Sequence, residues 1–196
     1  MNERKIAGFG AAGCFALSVA TLGFYALLTG RASMDGFLIF GIWLIAGGLI
    51  HFACGVIGSL NNDELTSNAF MFYAAILMLV SGVAVIVKYC AAMNGWPLDP
   101  RIEGYTWITI WMSILLWTPA ILKLYPSVMS LGLMPLNVAF PIIVFVNLGM
   151  ISPSWLALSG YAHGLTGLVF LYLGGAFVVN TVFGREVMYL GRPLIK

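Results

Sequence analysis

Charge is what this sequence has least of. Nine Lys or Arg and seven Asp or Glu, 8% of 196 residues, compare with roughly 25% in soluble proteins. So few charges do not cover a soluble surface of this size, and 61% of the residues are apolar. A soluble globular domain is excluded. Short alternating segments are also missing, which argues against a β-barrel. Soluble-enzyme signatures are absent: no HExxH, no GxSxG, no Walker A loop and no paired carboxylates. No enzyme activity, cofactor or metal is therefore expected. The net charge of +2, without a basic cluster, argues against a nucleic-acid partner. Cys14, Cys54 and Cys90 have no CxxC spacing and read as small apolar packing residues.

What is present is a series of long uncharged windows, at 6–30, 36–62, 65–87, 104–122 and 124–184. A helix needs about 20 apolar residues to cross the hydrocarbon core. The first four windows hold one crossing each, and the last holds two, divided at Asn147–Ser154 by Gly and Pro. The expectation is an all-α integral membrane protein, a single six-helix domain over 1–196, with spans near 6–29, 37–60, 66–92, 105–124, 129–150 and 159–182. The apolar run after Arg4 and Lys5 is too long for a signal-peptide core and is kept as the first span. Six crossings put both termini on one side with Arg4, Lys5, Lys123, Arg185, Arg192 and Lys196. Arg31, Lys88 and Arg101 fall on the other. This bias places both termini in the cytoplasm and the protein in the cell membrane.

Glycines mark two helix faces. Gly41, Gly48 and Gly55 repeat by seven in the second span, with Gly47 and Gly58 beside them. Gly160, Gly164, Gly167 and Gly174 share one face of the sixth. Bare faces of this kind let helices approach closely, and they also leave room for a narrow pathway. Such a pathway needs buried polar groups. Candidates are Ser18, Thr21, His51, Asn68, Tyr73, Asn137, Asn147, His163, Thr166, Tyr172 and Asn180. No carboxylate, lysine or arginine sits at mid-span, so neither a carboxylate proton relay nor a carboxylate-ringed cation channel fits. Hydroxyls, amides and imidazoles suit a small neutral solute or a weakly held small anion. Two readings of His51 remain: a neutral ring bonded to a backbone carbonyl, or a pathway group that protonates.

Four stretches resemble the acetate uptake transporter family, the SatP/YaaH group. Gly47-Gly48-Leu49-Ile50-His51 with Gly55 is similar to the family's GGxxQxxxG, and Asn68-Ala69-Phe70-Met71-Phe72-Tyr73 to its T-A-F-x-x-Y. Tyr172, Asn180 and Phe183-Gly184-Arg185 resemble its Y-(x)7-N-x-x-[FY]-G-R ending, and Leu136-Asn137-Val138-Ala139-Phe140 its L-T-x-x-F. There are departures. The N-terminal signature falls on Lys5 to Cys14 with only Ala7, Gly10 and Gly13 kept, the family Gln is His51, and Glu186 to Gly191 replaces its closing segment. The resemblance implies a homo-hexamer with one pore per protomer, passing acetate and sometimes succinate, with protons or by channel-like flux. It implies a constriction at Tyr73, Leu136 and the position of Cys14, with Phe15 adjacent. His51, Asn68, Asn137 and Asn180 are the expected polar groups of the pathway. Gly47, Gly48, Gly55, Gly167 and Gly174 are the expected packing glycines.

Two other classes stay open. Tyr105 to Leu122 is distantly similar to the acid-gated urea channel family, which implies a neutral-solute channel for urea or short amides. A non-transporting assembly subunit or sensor has the same composition.

Overall fold

The computed structural model describes residues 10–195, and its regular structure is helical. Six helices among the described residues are long and apolar enough to cross a membrane. The first two are α1 (Gly10–Leu28) and α2 (Gly36–Leu60). The third is composite: α3 (Glu64–Tyr73), a π-helical stretch (Ala74–Val80) and α4 (Ser81–Asn94). The fourth is α5 (Arg101–Leu124). The fifth joins α6 (Ser127–Leu133) to α7 (Leu136–Asn147), and the sixth is α8 (Leu156–Phe183) after a 3-10 turn at Pro153–Trp155. The chain is a multi-pass, all-helical membrane protein.

Helix ends follow local chemistry. Asp63 caps α3 by accepting from the Thr66 amide at 3.1 Å. Gly95 and Gly184 end α4 and α8 in the left-handed conformation, at φ 68° and 63°, which glycine adopts without a Cβ penalty. The start of the first expected span, at residue 6, lies outside the described residues. The other bounds shift for identifiable reasons. The fourth crossing begins at Arg101 rather than 105, because Asp99 Oδ1 accepts from the Arg101 amide and Glu103 occupies the first turn. Uncharged windows mark only the part of a helix inside hydrocarbon, and charged first turns extend it. The fifth ends at Asn147 rather than 150, where Gly149 turns to φ 73°. It also breaks at Met134–Pro135, since proline has no amide for the preceding turn.

Two glycine seams hold the bundle. In the first, α8 lies on α1: Gly160 faces Leu28 and Thr29, Gly164 faces Tyr25, Gly167 faces Thr21 and Leu22, and Gly174 faces the Phe15 ring. In the second, α2 lies on the composite helix. A Cβ on Gly48 would stand 2.7 Å from Leu79, one on Gly82 would stand 2.8 Å from the Gly41 carbonyl, and Gly55 meets Met71 and the Ser67 carbonyl. Gly47 faces Met78 and Ala16 instead. Lipid gives helices no hydrophobic reason to associate, so close packing and hydrogen bonds must do it. The hydrogen bonds are there. Ser18 donates to the Gly167 carbonyl at 2.8 Å, Thr166 to that of Gly132 at 2.8 Å, and Ser159 to that of Ala139 at 2.9 Å.

Candidate functional site

Two cavities lie inside the bundle. The tight one, about 50 Å³, is on the side of the chain ends. It is lined by Leu17 of α1, His51 of α2, Thr66, Ala69, Phe70 and Tyr73 of α3, and Ile114, Trp117 and Ile121 of α5; Tyr125, Met129, Leu133 and Phe170 complete it. The wide one, about 350 Å³, is on the opposite side. Its walls include Phe24, Phe37, Ile76, Ser81, Lys88, Glu103, Thr106, Trp107, Ile110, Ile143, Asn147 and Leu156.

The same helices line both in succession. Along the composite helix the linings pass from Tyr73 to Ile76, and along α5 from Ile114 to Ile110. On α1 they pass from Leu17 to Phe24, and on the fifth crossing from Leu133 to Ile143. At its thinnest the layer between the cavities is therefore about one helical turn deep. Leu136 and Phe140 lie on the chain between Leu133 and Ile143, and both are buried, as are Ile110 and Ile114.

Polar atoms in and beside this layer share one property. His51 Nε2 lies 2.9 Å from the Gly13 carbonyl. A carbonyl only accepts, so this nitrogen carries the proton and Nδ1 is left as an acceptor. His163 Nδ1 likewise donates to the Ser159 carbonyl at 2.8 Å, leaving Nε2 as an acceptor between the rings of Phe24 and Phe140. Thr118 uses its one proton on the Ile114 carbonyl, so the Asn137 atom 3.3 Å from its oxygen is the amide nitrogen. Asn137 Oδ1 then faces inward as an acceptor. Among the described residues these three atoms are buried without a hydrogen-bond partner. Buried polar groups are rarely left so, and all three call for a donor.

Tyr73 lines the tight cavity with its ring edge-on to Phe72 and Trp117. Its hydroxyl donates to Ser113 Oγ at 3.0 Å, because Ser113 uses its own proton on the Ile110 carbonyl.

The remaining expected residues lie elsewhere. Asn68 is exposed and donates to the Glu64 carbonyl one turn back. Asn180 binds only backbone of the segment after α8. Its amide nitrogen donates to the Met188 carbonyl, and its oxygen accepts from the Val187 and Met188 amides. Neither lines a cavity. Cys14 is buried without lining either cavity, and Phe15, 39% exposed, packs on Gly174 of α8. From α1 it is Leu17, one turn on, that reaches the tight cavity.

Sequence reading missed the α5 wall. Ile110, Ile114, Trp117 and Ile121 recur at helical spacing, a stripe that was available to find. It also missed Lys88 and Glu103, whose side chains form an ion pair across α4 and α5 in the wide cavity. Nothing in sequence spacing joins residues on separate helices. Among the described residues no group of three or more His, Cys, Asp or Glu side chains is placed to hold a metal ion.

No family model and no curated protein matches this sequence. The fold is similar to a solved structure of the bacterial acetate channel SatP. The TM-score is 0.82 over 95% of this chain and all of that one, at 19% sequence identity.

Proposed function

We propose that the chain passes acetate-like small monocarboxylates across the membrane through the two cavities, with Tyr73 and Leu136 at the narrowing between them. The end-to-end succession of cavity linings on shared helices carries this reading, because it leaves only a thin apolar layer to cross. A neutral carboxylic acid brings one O–H to a layer whose unpartnered polar atoms all accept. A bare carboxylate brings only acceptors, so crossing favours the protonated acid and the proton travels with it. The structural similarity to a bacterial acetate channel supports the same solute class. The sequence resemblance adds succinate as a larger cargo and six copies as the assembly, and the Lys and Arg bias between the loops favours both termini in the cytoplasm.

Flux from proteoliposomes tests the reading, with acetate, succinate, formate, ammonium and urea compared in one preparation. Acetate and formate should exceed empty liposomes at every pH, and their rates should rise as the medium is acidified. Acetate at background would sink the proposal. Native mass spectrometry in mild detergent tests the assembly, and a stable monomer counts against six copies.

One observation favours a second reading. The unpaired acceptors suit the N–H donors of urea or a short amide equally well. Urea flux without acetate flux would decide for it.

A further inference from the structure

Within that proposed function, the charged residues of the wide cavity have no assigned part. Lys88 and Glu103 are the charged side chains among the cavity-lining residues, and they form an ion pair with side chains 37% and 22% exposed. An ion pair this accessible adds little to stability, and this one stands at the wall of a cavity of about 350 Å³. We infer that Lys88 is a docking site for the carboxylate of the solute, held in reserve by Glu103 and assisted by Asn147.

Three features of the wall support it. A lysine ammonium has three donors, and the structure gives Lys88 one bond, to Glu103. Two protons remain for an incoming carboxylate. The Asn147 amide lines the same cavity and has no side-chain partner among the described residues, whereas Ser81 and Thr106 use their protons on the Ile76 and Glu103 carbonyls. Glu103, finally, has a second favourable neighbour besides Lys88. It lies in the first turn of α5, where free amides and the helix dipole favour an anion. Lys88 can therefore turn from one carboxylate to another at small cost, keeping a charge-assisted hydrogen bond throughout. The rest of the wall, including Phe24 and Trp107, is apolar. Such a cavity fits a short anion with one charged and one greasy end. The wide cavity then gathers the anion and the layer beyond passes the acid.

The test is equilibrium binding of radiolabelled acetate to the purified full chain at neutral pH, run beside flux. Lys88→Gln should weaken binding roughly tenfold, the usual scale for losing a charge-assisted hydrogen bond. Lys88→Arg should restore most of it, which a folding defect would not allow. Glu103→Gln should tighten binding, because it removes the competing carboxylate and leaves the ammonium free. If the pair is only a structural tie, Lys88→Gln and Glu103→Gln change binding in the same direction, and the inference fails. Unchanged binding in both also overturns it. Acetate flux without this opposition of signs leaves the proposed function standing and removes Lys88 from it. Opposed binding without flux does the reverse.

Discussion

The two cavities draw on all six crossings, yet they are built differently. The wide one has ionic and amide donors on an apolar wall and lies on the side away from the chain ends. The tight one has no charge, a closed set of aromatic rings and a histidine whose free nitrogen accepts. Donors attract an anion, and acceptors demand a proton. On the proposed route the same solute would meet two chemical requirements in sequence, separated by about one helical turn. In a pathway through hydrocarbon, selectivity comes less from the width of the hole than from the order in which donors and acceptors are presented.

Four tests, made with five substitutions, break or sharpen this contrast. The largest effect is expected at Leu136, buried between the two cavities. Leu136→Ala should cost about 2–5 kcal/mol of stability and should merge the cavities, raising acetate flux. Thermal unfolding and flux together check this, and a destabilised protein with slower flux would contradict the layer. Next, the same enlargement is made in each cavity. Ala69→Phe in the tight cavity should destabilise by about 1–3 kcal/mol through overpacking. Ala84, which lines the wide one, should tolerate Ala84→Phe with a change in stability of less than about 0.5 kcal/mol, while flux slows. Equal melting shifts would remove the size distinction.

His163→Leu comes third. It removes a buried, unpartnered acceptor, while the Ser159 carbonyl keeps its helical bond. The expected gain is about 1 kcal/mol, with weaker preference for acids over hydrogen-free solutes. A loss of stability would mean that the nitrogen is already satisfied by water. The smallest effect belongs outside the membrane, at Asp99. Its carboxyl is held down to about 2, from an ordinary 3.8, by hydrogen bonds from the Arg101 side chain and backbone. A depressed carboxyl contributes stability that is fully present above pH 4 and fades as pH falls toward 2. Asp99 is fully exposed, so the expected sign is a slight loss below pH 4 that Asp99→Asn abolishes, read by circular dichroism.

Much of the fold is legible in the sequence, because one rule governs it: uncharged windows of sufficient length become crossings. What that rule omits is where helices gain charged ends, as at Arg101, and where proline breaks them, as at Pro135. The site was legible in part. His51 stands mid-span and Tyr73 about a third of the way into its span, where a polar group has to face inward, and both line the tight cavity. Asn68 and Asn180 stand near helix ends, where an amide can be used on local backbone, and both are. Spacing cannot separate these cases. The Lys88–Glu103 pair was out of reach for another reason: each residue alone looks like the charged end of a span, and only the fold, which brings both to the wall of one cavity, joins them.

The π-helical stretch Ala74–Val80 bears on this division of labour. It lies between Tyr73, which belongs to one cavity, and Lys88, which belongs to the other. An α-helix turns about 100° per residue, and a π-bulge behaves as one inserted residue that winds more widely. The stretch therefore sets the angular phase between the two stations. Keep every residue but wind the helix regularly from Glu64 to Asn94, and the extra residue adds its own turn of about 100°. Everything downstream then rotates by about a quarter turn relative to Tyr73, and Lys88 leaves the cavity wall. The two proposed roles on one helix would then be kept in step by a local change of winding, a mechanical setting that no single side chain carries.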